Sequence, residues 1–282
     1  MLEEYYFLFG LAFIYVIFAT IQDLKTEEVS DWLNFSFVAF ALVYRGLYSS
    51  LNNELRFFGF GVLGVFVFFA LGNLFYYLRV FAGGDAKLLV GFGAVLPFSS
   101  FKEFFLISFG FIFLLFLVGA VYSLIYSLFI VRKRWGKFRE EFFNNFKKNI
   151  YLLSLCLIFF VVFIFFLDSF LNILFLFSFF VFIPFLYIYI KSLDKCMVVF
   201  LNYDKLREGD WILEDIKLSR GIIRKTVHGL SREDIKKLQR AKKNVYIKQG
   251  IPFVPAFLIS LLIMVFFFLT FEVSLFLSYL QF

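Results

Sequence analysis

Between two long apolar runs the chain reads Phe81-Ala82-Gly83-Gly84-Asp85-Ala86-Lys87. One apolar run ends here and the next begins, with an aspartate left at the boundary between them. In a chain this apolar, that places a carboxylate at a membrane face, which is costly unless the acid is solvated, paired or used. Glycine permits tight turns and close backbone approach, so residues 79–85 are read as a glycine loop that presents Asp85. A second acid has the same setting, since Asp23 directly follows the first apolar run, Tyr5 to Ile21.

The composition makes the membrane reading firm. Of 282 residues, 62% are hydrophobic and 50 are phenylalanine, and the mean hydropathy is +0.88. A soluble domain cannot hide that much apolar surface. Lipid requires backbone polar groups to be satisfied within the segment, which favours helices. No alternation of period two suggests a barrel. The net charge of +7 is explained by basic loops on one membrane side, and no nucleic-acid partner is expected. Cys156 and Cys196 have no CxxC partner and suggest neither a metal site nor a disulfide framework. No cofactor or metal is expected.

Taken in order, the apolar runs are Tyr5–Ile21, Trp32–Tyr48, Phe57–Leu78, the short Ala86–Leu96, Phe104–Val131, Ile150–Leu167, Ser169–Ile190 and Ile251 to about Leu280. The fourth has only 11 residues, too few for a comfortable span, and reads as a tilted or sheltered helix. Residues 132–149 interleave basic and aromatic side chains, as in an amphipathic helix lying on an anionic leaflet. Residues 191–250 are polar and basic. They suggest a short strand at Met197–Leu201, a turn at Glu208-Gly209-Asp210, and a helix over Ser231–Lys243 with Ser231 as N-cap and Asp234 completing a capping box. The expected fold is an all-α polytopic membrane protein with about eight transmembrane segments and a small cytoplasmic α+β lobe. It divides into a core (1–131), a basic amphipathic segment (132–149), a hairpin (150–190), the lobe (191–250) and a final helix (251–282).

Charge counting orients the chain. The two basic segments belong on the cytoplasmic side. Eight crossings then bring 22–31 and 79–87 to that same side, so Asp23 and Asp85 face one compartment, and Asp168 faces the other. Two adjacent carboxylates resist joint ionisation and can share a proton. One can take a proton from water while the other hydrogen-bonds the carbonyl under attack. The plainer reading of each acid alone is a solvated helix end, with Asp85 also favoured by a helix N-terminus. His228 is the single histidine, so histidine-metal sites and Ser–His–Asp triads lack material. Pro252 and Pro255 are read as marking an ordinary helix start, the alternative being an unwound rest for substrate.

The segment Asp23-Leu24-Lys25-Thr26-Glu27-Glu28-Val29-Ser30-Asp31-Trp32-Leu33-Asn34 resembles the first catalytic segment of the type IV prepilin peptidases, and AGGDAKLL (82–89) resembles their GxGD segment. The archaeal preflagellin and prepilin branch is more similar, through Lys205–Asp210 and Gly250–Leu258. The resemblance implies a multi-pass cell-membrane aspartic endopeptidase with Asp23 and Asp85 as catalytic pair. Its substrates would be pilin-like or flagellin precursors, cut at the cytoplasmic face of the bilayer. Gly83 and Gly84 would lie along the substrate backbone. On charge alone, apart from the resemblance, Glu27, Glu28 and Asp31 would offer negative charge to its basic leader, the alternative being a solvated acidic turn. Two departures stand out. Ala82 replaces the first motif glycine, where a positive φ would be disfavoured. The cysteine-rich loop of bacterial relatives is missing, which argues against coupled N-methylation. From a different class, an ion- or proton-coupled transporter would also use intramembrane acids, but no inverted repeat is visible.

Overall fold

The computed structural model describes residues 3–164, 169–218, 221–226 and 229–280. Asp168 and His228 lie outside these residues. The chain forms two compact units, Met1–Leu124 with Ile251–Phe282, and Ile125–Gly250.

The first unit holds α1 (Glu3–Thr26), α2 (Asp31–Asn52), α3 (Leu55–Tyr77), α4 (Gly83–Val95), the start of α5 (Phe101–Lys133) and α11 (Val254–Leu280). Its core follows helical spacing. Leu8, Ala12, Val16 and Ala19 line one face of α1, and Leu33, Phe37 and Ala41 line one face of α2. Burial of such stripes, at 3–4 residue intervals, is what holds helices of this kind together. α1 packs against α2, α4 and α11, so the last helix of the chain belongs to the same unit as the first.

The helices run past the apolar stretches. α1 continues through Asp23 to Thr26, which corrects the expectation that the acid follows the helix end. It stops because Glu27 adopts φ 56°. The connector shrinks to residues 27–30, where the Ser30 N–H donates to Gln22 Oε1 at 3.1 Å. Likewise Gly83 and Gly84 are not loop residues but open α4.

α4 resolves the short fourth run. It has 13 residues, and Asp85, Ala86, Leu88, Leu89 and Gly91 through Val95 are all buried. Protein surrounds it, so its length need not match a bilayer. Two glycines make this enclosure close. A Cβ on Gly64 of α3 would sit 2.0 Å from the Gly93 carbonyl oxygen, and one on Gly93 would sit 2.4 Å from that of Gly64. Small residues let helix backbones touch where lipid supplies no hydrophobic drive. Gly64→Ala and Gly93→Ala are each expected to destabilise by about 1–3 kcal/mol through overpacking, read as a lower melting midpoint in detergent. Gly10→Ala, where nothing lies within 4 Å, should not lower it.

The second unit carries α6 (Trp135–Lys148), α7 (Ile150–Ile164), α8 (Phe170–Phe177) and α9 (Ile183–Cys196), followed by the lobe. The amphipathic segment does form a helix, and part of its apolar side packs on α9. Phe138 stacks edge-on to Tyr189 at 5.4 Å, and Asn145 Nδ2 donates to Ser192 Oγ at 3.0 Å. The lobe has strands β1 (Val198–Leu201), β2 (Trp211–Ile212), β3 (Ile216–Leu218), β4 (Gly221–Ile223) and β5 (Val245–Lys248), with α10 (Arg232–Arg240). The sheets are β1-β5-β2 and β3-β4, all pairs antiparallel. Ser231 and Asp234 form the expected reciprocal cap of α10.

Among the described residues, four stretches, Glu4–Thr26, Leu55–Tyr77, Phe101–Lys133 and Leu171–Cys196, are long and apolar enough to cross a membrane, or five if the bent pair α6 and α7 is one span. This is a helical polytopic membrane protein. α2 has 22 residues but carries Asn34, Arg45 and Ser49 on its buried side, which lowers its hydropathy.

Candidate active site

Asp23 sits in the last turn of α1 and Asp85 in the first turn of α4. They are 6% and 7% exposed, on neighbouring stretches of chain. The elements that carry them touch. A Cβ on Gly84 would lie 3.3 Å from Val29, in the turn just after Asp23. That close approach is the structural use of Gly84, and it faces the protein's own chain. Around Gly83 there is more room, the nearest atom to such a Cβ being 3.9 Å away on Tyr76.

Each acid is oriented by a backbone donor. Asp85 Oδ2 accepts the Ala82 N–H at 3.2 Å. This is half of a capping box, since alanine has no side-chain oxygen to return the bond. Ala82 has φ −71° and ψ 165°, an extended conformation open to any residue. The substitution of the first motif glycine is therefore free of backbone strain. Asp23 Oδ2 accepts the Val254 N–H at 3.0 Å, a bond between positions 231 residues apart. Val254 was missed from sequence, where Pro252 and Pro255 suggested only a helix start. That start is real, and it lies against Asp23.

The other acids divide. Glu27 and Glu28 are exposed in the turn between α1 and α2. Asp31 forms an ion pair with Lys87 of α4. The pair ties the α2 start to the Asp85 turn and offsets the charge of Asp31. Exposed pairs of this kind contribute about 0–1 kcal/mol.

Two buried carboxylates brought next to one another resist joint ionisation and titrate as a pair. Such a pair can hold one proton at neutral pH, giving a base and an acid side by side. Residues 10–130, which contain both aspartates, match the type IV leader peptidase family. The chain is also 37% identical over 82 residues to a preflagellin peptidase of Methanocaldococcus jannaschii, a match covering 29% of this chain and 35% of that protein. The matched part thus spans about a third of the relative's length. No solved structure matches the chain.

Proposed function

We propose that this chain is a membrane aspartic endopeptidase that removes the short basic leader of pilin-like or flagellin precursors at the cytoplasmic membrane face. The observation that carries the reading is the pair of buried carboxylates, Asp23 and Asp85, on adjoining stretches where Gly84 approaches Val29, inside the segment that matches the leader peptidases. Support for the substrate class comes from the preflagellin peptidase similarity. In this reading α2, α4 and α11 cross the bilayer together with the longer helices, and both acids face the cytoplasm.

The chemistry needs no group beyond the dyad and a water. The ionised carboxylate takes a proton as the water oxygen attacks the scissile carbonyl carbon. The protonated carboxyl hydrogen-bonds and then protonates the carbonyl oxygen. The tetrahedral diol collapses as the C–N bond breaks: the carboxyl that took the water's proton delivers it to the leaving amine, and the other takes back a hydroxyl proton, restoring the dyad. Because the titration belongs to the pair, neither aspartate is assigned one role. The roomier backbone at Gly83 accommodates an extended substrate strand, while Gly84 is already packed on Val29.

Membranes containing the wild-type chain, incubated with one pilin-type and one flagellin-type precursor, should release the leader from at least one of them. Failure with both would overturn the reading. The exposed pair Glu27 and Glu28 is proposed to attract the basic leader. Glu27→Gln with Glu28→Gln is expected to raise KM severalfold at low salt, with kcat little changed. The difference should shrink as salt screens the attraction.

A further inference from the structure

We propose that the first turn of α11, which lies outside the family-matching segment, is a positioning element of the catalytic pair, acting through the Val254 N–H on Asp23. This inference rests on the peptidase reading above.

The local sequence explains why one donor is aimed there. The first N–H groups of a helix have no intrahelical acceptor. Here Val254 opens α11, Pro255 has no N–H, and the Ala256 N–H is taken by the Phe253 carbonyl at 2.9 Å. Pro252, on the other side, also lacks an N–H. Of the two donors left at this helix start, that of Val254 is bonded to the Asp23 carboxylate. The end of a long helix dipole favours negative charge at that point. Val254 is fully buried, so water does not compete for the bond.

The same turn is fastened to the Asp85 segment. The Phe253 ring lies 5.4 Å from that of Phe81, four positions before Asp85. Phe257 lies 5.9 Å from Phe81 and 5.5 Å from Phe92 of α4. Opposite these contacts, Phe253 fills the space over Gly119, where a Cβ would come within 2.4 Å of its ring. One turn of α11 therefore contacts Asp23 by hydrogen bond and the Asp85 element by aromatic packing. It can set the distance and orientation of two acids carried on different helices.

The test removes the Val254 donor; the ester also weakens the Phe253 carbonyl as acceptor of the Ala256 N–H, an effect that the control ester reproduces on its own preceding carbonyl. Val254 is replaced by its α-hydroxy acid analogue, which turns the amide into an ester and keeps the side chain. The same replacement at Ile259, in the interior of α11, controls for loss of a backbone hydrogen bond. Misplaced catalytic groups cost kcat steeply. The expected result is a fall in kcat of about ten- to a hundredfold at position 254, with KM and the melting midpoint unchanged and the Ile259 ester behaving as wild type. Wild-type kcat in the Val254 ester, equal kcat losses in the two esters, or a loss of kcat that follows a melting midpoint below the assay temperature would each overturn the proposal. A wild-type protein that leaves both precursors intact overturns the peptidase reading, and this inference with it.

Discussion

Asp85→Asn is expected to abolish leader cleavage while the protein still inserts and melts no lower than wild type. Asp23→Asn should do the same. The amide is nearly isosteric and its oxygen still accepts the bond that orients each acid, from Ala82 in one case and Val254 in the other. Neither helix end loses its partner. What disappears is the exchangeable proton. Positioned acid–base groups contribute about 10²–10⁴-fold each, and among these two there is no substitute for either. Removing one of two neighbouring buried carboxylates also relieves their mutual repulsion, which is why stability should hold or rise. The double variant should be no worse than the worse single one, because residues that act as a unit lose their effect together. The checks are precursor cleavage by membranes, with endogenous peptidase absent, and thermal melting of the purified proteins. Substantial cleavage by either variant would separate that aspartate from the chemistry.

The second large effect is far from the pair. Arg45 of α2 is fully buried. Its Nε donates to the Ala94 carbonyl at 2.6 Å, Nη1 to Phe57 at 2.7 Å and Nη2 to Leu96 at 2.7 Å. Its guanidinium lies 4.5 Å from the Phe57 ring centre. Ala94 and Leu96 are at the C-terminal end of α4, where carbonyls run out of helical donors. A cation there also suits the negative end of the helix. Gly61 makes room for this side chain, since a Cβ would come within 2.3 Å of Arg45 Cδ. Arg45→Met is expected to cost several kcal/mol, because each of the three buried carbonyls left without its donor costs about 1–3 kcal/mol. Arg45→Lys should be intermediate, because an ammonium cannot present the planar fork that reaches three carbonyls. Melting midpoints in detergent should rank wild type, Lys, Met. An Arg45→Met protein as stable as wild type would mean that these carbonyls find other donors.

Some of this was open to a reader of the sequence. The apolar lengths, the acids at their ends and the glycines before Asp85 are local features, and local features set helices and their ends. The lobe helix was legible for the same reason, since Ser231 and Asp234 cap each other three positions apart. Ambiguities arose where a local signal had two solutions. The polar run from Gln22 looked like a connector, yet Gln22 through Thr26 continue α1, because helix propagation tolerates polar residues once apolar contacts have fixed the earlier turns. The amphipathic segment promised an apolar face to something, but periodicity cannot tell a bilayer from a neighbouring helix such as α9.

The sequence by itself determined that this is a helical membrane protein with two acids at helix ends that charge counting places on one side. Only the tertiary structure decided that α4 is sheathed by protein, that Arg45 ties down its far end, and that Val254 meets Asp23 across 231 positions. The physical reason is that these depend on backbone approach and on which buried polar groups find one another. Such pairings are chosen by packing in three dimensions, and they leave no periodic trace along the chain.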